Sequence, residues 1–219
     1  MFSETVLAMF GKGFLESLFM TIVSSALAYL IGLPLGLTLV VTDKDGIRPR
    51  LWINRVIGVI VNVFRSVPFL ILAITVMPVT RGIAGTTLGP KATIVPLVIA
   101  AAPFVARLVE SSVKEVDKGV IEAAQSMGAS SMQVVWKVLL PEARPSLIVG
   151  SAIAVTTILS YSAMTGFMGG GGLGDIAIRY GYYRYQTDIM LVTVAILVVI
   201  VQIMQEVGMK LAKLGDKRV

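Results

Sequence analysis

Few side chains in this 219-residue sequence have the chemistry of an active site. It contains no cysteine and no histidine, which excludes thiol nucleophiles, imidazole bases and the usual thiolate or imidazole metal ligands. A serine with a lysine base could still hydrolyse a peptide, but every lysine lies at or beyond the end of an apolar segment. The carboxylates of Glu16, Glu110, Asp188 and Glu206 also lie near segment ends. An intramembrane enzyme is therefore a remote alternative.

Two glycine-rich stretches imitate phosphate-binding loops. In the stretch from Gly85 to Lys91, Pro90 removes a backbone donor that a phosphate would need. The run from Gly169 to Gly174 follows no strand and contains no basic residue, so we interpret it as a hinge or a tight re-entrant turn that cannot continue a helix. The longest polar loop, residues 111–144, is shorter than the roughly 100 residues or more that a nucleotide-hydrolysing domain needs.

The composition indicates a membrane protein. Hydrophobic residues make up 56% of the chain and the mean hydropathy is +0.86, which is too apolar for a soluble domain of this length. The formal net charge is +6, yet the basic residues flank apolar runs and form no patch interleaved with aromatic residues. They fit membrane anchoring, and no nucleic-acid partner is expected.

Five segments approach the roughly 20 apolar residues that cross a bilayer core. We predict an all-α integral membrane protein with spans at about 14–41, 56–79, 92–109, 145–167 and 189–209. The first run is longer than the apolar region of a signal peptide, so we expect it to remain in the mature protein. Proline should bend the first span at Pro34, kink the second at Pro68, and interrupt the third at Pro96 and Pro103.

The basic residues predict the orientation. Thirteen lie in the turn 43–55, the loop 107–144 and the C-terminus, and five lie on the other side, namely Lys12, Arg81, Lys91, Arg179 and Arg184. The positive-inside rule then places the N-terminus outside and the C-terminus in the cytoplasm. The loop 111–144 falls on the cytoplasmic side.

Arg65 is the one basic residue left within a span, just before Ser66 and Pro68. An arginine there is costly unless it faces a polar cavity or a partner. It could face a transport pathway or hold a gate carbonyl, or it could reach the cytoplasmic interface by snorkelling. A structural or conformational role is slightly favoured.

The stretch from Asp117 to Pro141 predicts a helix, a tight turn and a second helix. Asp117 can cap the first helix, Gly128 can end it, and Ser130 with Gln133 has the form of a capping box. The second helix should stop at Pro141. The first helix should present one apolar face at helical spacing, formed by Val116, Val120, Ala123, Ala124 and Met127.

These residues resemble the EAA loop of ABC-importer permeases. Glu122-Ala123-Ala124, Gly128 and Leu140-Pro141 match the motif in type and spacing, with Val138 where the motif has isoleucine. Further blocks resemble the permease of the methionine-uptake ABC family over nearly the whole chain. They are Phe64-Arg65-Ser66-Val67-Pro68-Phe69, Ala101-Ala102-Pro103-Phe104-Val105-Ala106-Arg107, Tyr161-Ser162-Ala163-Met164 and the glycine run.

The resemblance implies a single permease domain over residues 1–219 in the bacterial cytoplasmic membrane. It implies a homodimer with two copies of an ABC ATPase, which would bind ATP and magnesium, and a periplasmic or lipid-anchored binding protein that delivers L- and possibly D-methionine. No cofactor is expected on this chain. Translocation would proceed by alternating access.

The resemblance also implies site residues. The coupling element would comprise Glu122, Ala123, Ala124, Gly128, Leu140 and Pro141. Candidate pathway or gate residues are Arg65, Ser66, Pro68, Ser160, Tyr161 and Met164, although Met164 could equally be a flexible packing residue. The alternatives are a permease for another amino acid or small polar solute, and a passive membrane anchor, which would not need Arg65 or the prolines.

Overall fold

A computed structural model of the protein describes residues 4–215 as a bundle of helices, and it contains no strand within that range. The helices are α1 Glu4–Val41, α2 Leu51–Ser66, α3 Phe69–Thr75, α4 Met77–Ala84, α5 Pro90–Lys114, α6 Lys118–Ser126, α7 Ser131–Val134, α8 Leu140–Glu142, α9 Arg144–Met164, α10 Gly172–Ile176 and α11 Thr187–Gly215. Wider π-helical turns at Val135–Leu139 and Ala177–Tyr182 and a 3-10 turn at Thr165–Met168 extend these helices.

Four stretches are long and apolar enough to cross a bilayer: Glu4–Val41, Pro90–Lys114, Arg144–Tyr182 and Thr187–Lys213. A fifth crossing arises if α2 and α3 form one broken span, because their axes differ by 103°. The all-helical prediction is confirmed, and the structure accommodates five spans in this way.

The break between α2 and α3 is sharper than the predicted kink. Val67 has φ −84° and ψ 125°, and Pro68 has φ −55° and ψ 136°, so two consecutive residues are extended. The proline ring disfavours helical conformation of the preceding residue, which is consistent with the end of α2 at Ser66. The predicted segment 56–79 is therefore wrong as one helix, since Met77 already begins the separate helix α4.

The predicted interruption of the third span is wrong. Helix α5 continues from Pro90 to Lys114 with Pro96 and Pro103 inside it, both buried. Packing against neighbouring helices holds a proline-containing segment in helical form in a membrane, and α5 contacts both α1 and α9.

Other boundaries also differ from the predictions. Helix α1 begins ten residues earlier, at Glu4, because no residue between 4 and 14 breaks a helix and Phe10 is buried against the bundle. Within the glycine run, residues 169–171 are not helical, whereas Gly172 and Gly174 belong to α10. The polar connection after it is helical through Tyr182.

Helix α1 packs closely on α5 through Gly32 and Gly36. A Cβ atom on Gly32 would lie 2.7 Å from the carbonyl oxygen of Ala102, and one on Gly36 would lie 2.5 Å from that of Ala106. Small residues four positions apart are typical of a close approach between membrane helices, and the structure shows one here. Pro34 lies between them inside an unbroken helix.

The two ends of the bundle are built differently. At the glycine end, which we define as residues 169–176 with the start of α1, Glu16 Oε2 accepts a hydrogen bond from the N–H of Gly172 at 2.8 Å. Ser17 Oγ accepts one from the N–H of Leu173 at 2.9 Å. These acceptors satisfy the free donors at the start of α10. The other end, residues 115–143 with the α1–α2 turn, is called the loop end.

Candidate functional site

Helix α6 and the segment after it form the predicted helix, turn and helix. Asp117 Oδ1 accepts from the N–H of Gly119 at 2.7 Å and caps α6. Gly128 has φ 84°, the left-handed conformation that glycine adopts at a helix end. The N–H of Ser130 donates to Gln133 Oε1 at 2.8 Å, and the N–H of Gln133 donates to Ser130 Oγ at 3.4 Å. The caps inferred from the sequence are confirmed.

The predicted apolar face of α6 is divided between the core and the surface. Val116 and Ala124 are buried, whereas Val120, Ala123 and Met127 are exposed. The buried side includes half-buried Ile121, which packs with Ala124 against the core. The bundle buries only one narrow side of this short helix, so its small and flexible residues Ala123 and Met127 remain exposed.

The second helix does not stop at Pro141. It passes from α7 through the π-helical turn into α8, which ends at Glu142. Pro141 is tolerated because it lies in the first turn of α8. Leu140 is half-buried on the core, and Pro141 is exposed.

Large exposed apolar side chains surround the motif. Met127 is 83% exposed and Trp136 is 60% exposed, and the Trp136 Nε1–H points to Met132 Sδ at 3.1 Å. We call Val120, Ala123, Met127, Met132 and Trp136 the docking patch. Glu122 and Gly128 are exposed beside it. The sequence reasoning missed Met132 and Trp136, although methionine and tryptophan on a short loop helix are typical of contact surfaces.

The docking patch rests on the core of the bundle. Ala124 of α6, Val134 and Leu139 are buried in one cluster with Val113 of α5 and Ile158 of α9. A close-packed cluster transmits displacement because it has little free volume. Force applied to the docking patch would therefore reach α5 and α9 directly.

Ion pairs tie the loop end together. The Arg107 guanidinium contacts the carboxylate of buried Glu110 and donates to Asn62 Oδ1 at 2.9 Å. Lys114 Nζ lies 2.9 Å from Glu110 Oε1 and 2.7 Å from Asp43 Oδ2. The hydrogen bond from Lys114 lowers the pKa of Asp43, against the opposing effect of partial burial. Helix α5 is thereby joined to α2 and to the α1–α2 turn.

A cleft of about 220 Å³ opens where α2 breaks. Arg65 and Tyr161 both line it, together with Phe64, Val67, Phe69, Ala100 and Phe104. The rings of Phe69 and Tyr161 stack with centroids 4.5 Å apart and planes 2° from parallel. We call this the Arg65 cleft. Its phenylalanines occupy the sequence blocks around Arg65 and Pro103, but sequence alone did not show that they meet.

The remaining candidate pathway residues are not part of the cleft lining. Ser66 donates to the carbonyl oxygen of Asn62 at 2.8 Å and is exposed, as is Pro68 at the break. On α9, Ser160 is exposed and Met164, one turn further, is 47% exposed. All four are accessible at the surface of the bundle.

The family follows from comparison with known proteins. The model of the family described as "Binding-protein-dependent transport system inner membrane component" matches residues 28–207. The chain belongs to this family. It is a bacterial multi-pass inner membrane protein, and the family's permease subunits are not themselves catalytic.

Several of its relatives in this family have names that refer to methionine. The chain is 51% identical to the Vibrio cholerae protein named "Probable D-methionine transport system permease protein MetI", over 93% of this chain and 90% of that one. It is 44% identical to the Bacillus subtilis "Methionine import system permease protein MetP", over 82% and 81% of the two chains. The resemblance inferred from the motifs is confirmed.

The fold also matches solved transporters. A structure described as "Inward facing conformations of the MetNI methionine ABC transporter: CY5 SeMet soak crystal form" aligns with a TM-score of 0.97 and 42% identity, covering 99% of this chain and 100% of that one. An amino acid ABC transporter described as "with histidines" aligns at 0.73 with 21% identity over 97% and 95% of the two chains, which shows a common fold.

Proposed function

We propose that this chain is the membrane-spanning subunit of an ATP-driven importer that carries methionine into the cytoplasm. The proposal is supported by relatives and a solved structure whose names refer to methionine transport. The observation that carries it is the docking patch, which offers exposed apolar side chains on a helix packed into the core. Such a surface fits a partner that performs work on the bundle.

In this proposal the partner is an ABC ATPase that binds ATP and magnesium, while this chain needs no cofactor of its own. Glu122, Ala123, Ala124, Gly128, Leu140 and Pro141 form the coupling element, with the docking patch as its contact surface. Because each chain offers one such element, two copies of this chain with two ATPases around a shared pathway form the economical assembly. A periplasmic or lipid-anchored binding protein supplies L- or D-methionine from the other side.

The pathway opens alternately to the two sides in this proposal. In this proposal the Arg65 cleft and the exposed residues Ser66, Pro68, Ser160 and Met164 line it, facing the second copy. The positive-inside distribution supports a cytoplasmic position of the loop end.

Affinity purification of the chain from its native membrane tests the first step, because a transport subunit should bring down an ATPase and an anchor should not. Reconstitution with that ATPase and the binding protein should give ATP-dependent uptake of methionine, measured against other amino acids. Uptake of a different amino acid in preference to methionine would overturn the substrate assignment and leave the transport class standing.

The natural absence of cysteine makes the topology easy to test. A Ser131→Cys variant should react with a membrane-impermeant thiol reagent only from the cytoplasmic side. Reaction from the outer side would overturn the coupling proposal. A Met164→Cys variant should change its labelling rate when ATP analogues are added, as alternating access requires.

A further inference from the structure

We propose that the Arg65 cleft is a transient binding site for the α-carboxylate of an amino acid on its way through the membrane, with the neighbouring rings receiving the side chain. This inference rests on the proposed function, since it requires an amino acid to cross the bundle. It assigns a ligand chemistry to a residue whose role the motifs leave open.

The depth of the cleft excludes the simplest structural role of Arg65. Helix α2 begins at Leu51, so about 21 Å of helix lie between Arg65 and the loop end at 1.5 Å per residue. On α5, Phe104 lies about 15 Å from Lys114, and Ala100 about 15 Å from Pro90. These lengths put Arg65 well inside a bilayer core about 30 Å thick and far from the loop end. Snorkelling to the loop end is therefore not supported.

Arg65 has no partner for its charge among the described residues of its own chain. Within residues 4–215, its guanidinium makes no hydrogen bond or ion pair, whereas Arg107 and Arg179 each contact a carboxylate. The lining of the cleft contains no acidic residue. An unpaired guanidinium at this depth is stable only beside water or an anion, because facing lipid would cost several kcal/mol, of the order of 3 or more.

The shape and walls of the cleft suit an apolar amino acid. A volume of about 220 Å³ lies below the roughly 300–1,000 Å³ of sites that hold drug-sized ligands, and is appropriate for one small molecule. Guanidinium and carboxylate form paired, charge-assisted hydrogen bonds. The stacked Phe69 and Tyr161 and the ring of Phe104 offer aromatic surface, which a thioether contacts favourably. A carboxylate anchor of this kind is present on both enantiomers of an amino acid.

The test measures binding to the assembled permease–ATPase complex without the binding protein. Radiolabelled L-methionine is the probe, and two analogues compete with it. 4-Methylthiobutyrate keeps the carboxylate and lacks the amine, whereas methioninamide keeps the amine and lacks the carboxylate. We expect the first to displace methionine and the second to compete at least about tenfold more weakly, since charge-assisted hydrogen bonds are the stronger ones.

Variants locate the effect. Arg65→Met should reduce methionine binding at least about tenfold, and Arg65→Lys should bind weakly while still preferring the carboxylate analogue, because it keeps the charge and loses the planar fork. Arg81→Met, which removes an exposed arginine of α4, is the matched control and should bind as the wild type does.

Four outcomes would overturn the inference: no measurable binding to the wild-type complex, equal competition by both analogues, unchanged binding in Arg65→Met, or loss of the homodimer in Arg65→Lys. The last would show that Arg65 pairs with the second copy. The wild-type competition series stands even if Arg65→Met fails to assemble. Failure of the proposed function can be distinguished from failure of this inference. In that case the wild-type complex with its binding protein would show no ATP-dependent uptake.

Discussion

Both ends of the bundle contain glycine turns, but these turns lie in different surroundings. At the glycine end, glycines allow backbones to come into contact, and Glu16 and Ser17 of α1 accept hydrogen bonds from the backbone of α10. At the loop end, Gly128 has open space around it, and methionine and tryptophan side chains are left uncovered. The glycine end is covered by contacts within the chain, whereas the loop end leaves apolar side chains uncovered. Substitutions should therefore affect folding at the first and partner contact at the second.

The largest effect is expected for Gly174→Val at the glycine end. A Cβ atom there would overlap the backbone of Ala163, and overpacking of a close backbone contact costs about 1–3 kcal/mol or more. The variant should lose most of its folded yield, measured by size-exclusion chromatography in detergent. Gly82→Val, where a Cβ meets nothing within 4 Å, is the control. A normal folded yield of Gly174→Val would contradict the claim that the backbones at this end pack too closely to admit a side chain.

Gly128→Val should separate folding from coupling at the loop end. The new side chain has room, but a β-branched residue is strained at φ 84°, so α6 should point differently. We expect near-normal yield and at least about a tenfold loss of uptake per ATP hydrolysed in reconstituted vesicles. Gly128→Asn, which tolerates the left-handed conformation, should retain most coupling. Full coupling in the valine variant would contradict the proposed role of the turn.

Met127→Ser tests the docking patch itself. Because Met127 is 83% exposed, its replacement should change the melting temperature little, while affinity for the ATPase should fall by about 1–2 kcal/mol, as for a contributing interface residue. Titration of the solubilised chain with the isolated ATPase measures this. Leu88→Ser, exposed at the opposite end of the bundle, should bind normally. Equal weakening by both variants would point to a general loss of structure.

Glu16→Ala should loosen the glycine end moderately. It leaves the N–H of Gly172 without its acceptor, which costs about 1–3 kcal/mol for a buried donor. The thermal midpoint in detergent should fall, and Glu16→Gln, which keeps an acceptor oxygen, should recover most of the loss. An unchanged midpoint in the alanine variant would show that α10 is held by packing alone.

The smallest effect is expected at the ion pairs of the loop end. The pKa of Asp43 is lowered by Lys114, so this contact stabilises the folded state above the ordinary aspartate pKa of about 3.9 and is lost as the pH falls through the lowered value. Asp43→Asn should reduce stability by about 0.5–1 kcal/mol at pH 7, as for a partly exposed pair. The difference between variant and wild type should shrink as the pH falls through the lowered pKa of Asp43. A difference that is independent of pH over the acid range would exclude the charge as its cause.

Local signals in the sequence predicted local structure well. The cap at Asp117, the left-handed Gly128 and the Ser130–Gln133 box follow from side-chain chemistry within a few residues, and all three are present. The orientation of α6 could not be predicted, because the bundle decides which side of an amphipathic helix is buried. Val120 and Met127 belong to the predicted apolar face of α6, and both are exposed in the structure.

Proline was the least consistent signal. Pro68 breaks a span while Pro96 and Pro103 lie inside a continuous helix, and the difference lies in the packing around α5. The Arg65 cleft joins residues from four helices, α2, α3, α5 and α9, that are up to 97 positions apart in the chain, from Phe64 to Tyr161. The motif blocks contain most of these residues, but only the folded chain shows that they share a cavity.

The glycine contacts between α1 and α5 limit how this protein can move. Gly32 lies against the carbonyl of Ala102 and the side chain of Val105, and Gly36 against the carbonyl of Ala106 and the side chain of Val109, so α1 and α5 have little room to slide past each other. We therefore expect the two helices to move as one unit in any change of conformation. The extended backbone at Val67 and Pro68, beside Arg65, is a place where we expect the chain to bend during transport.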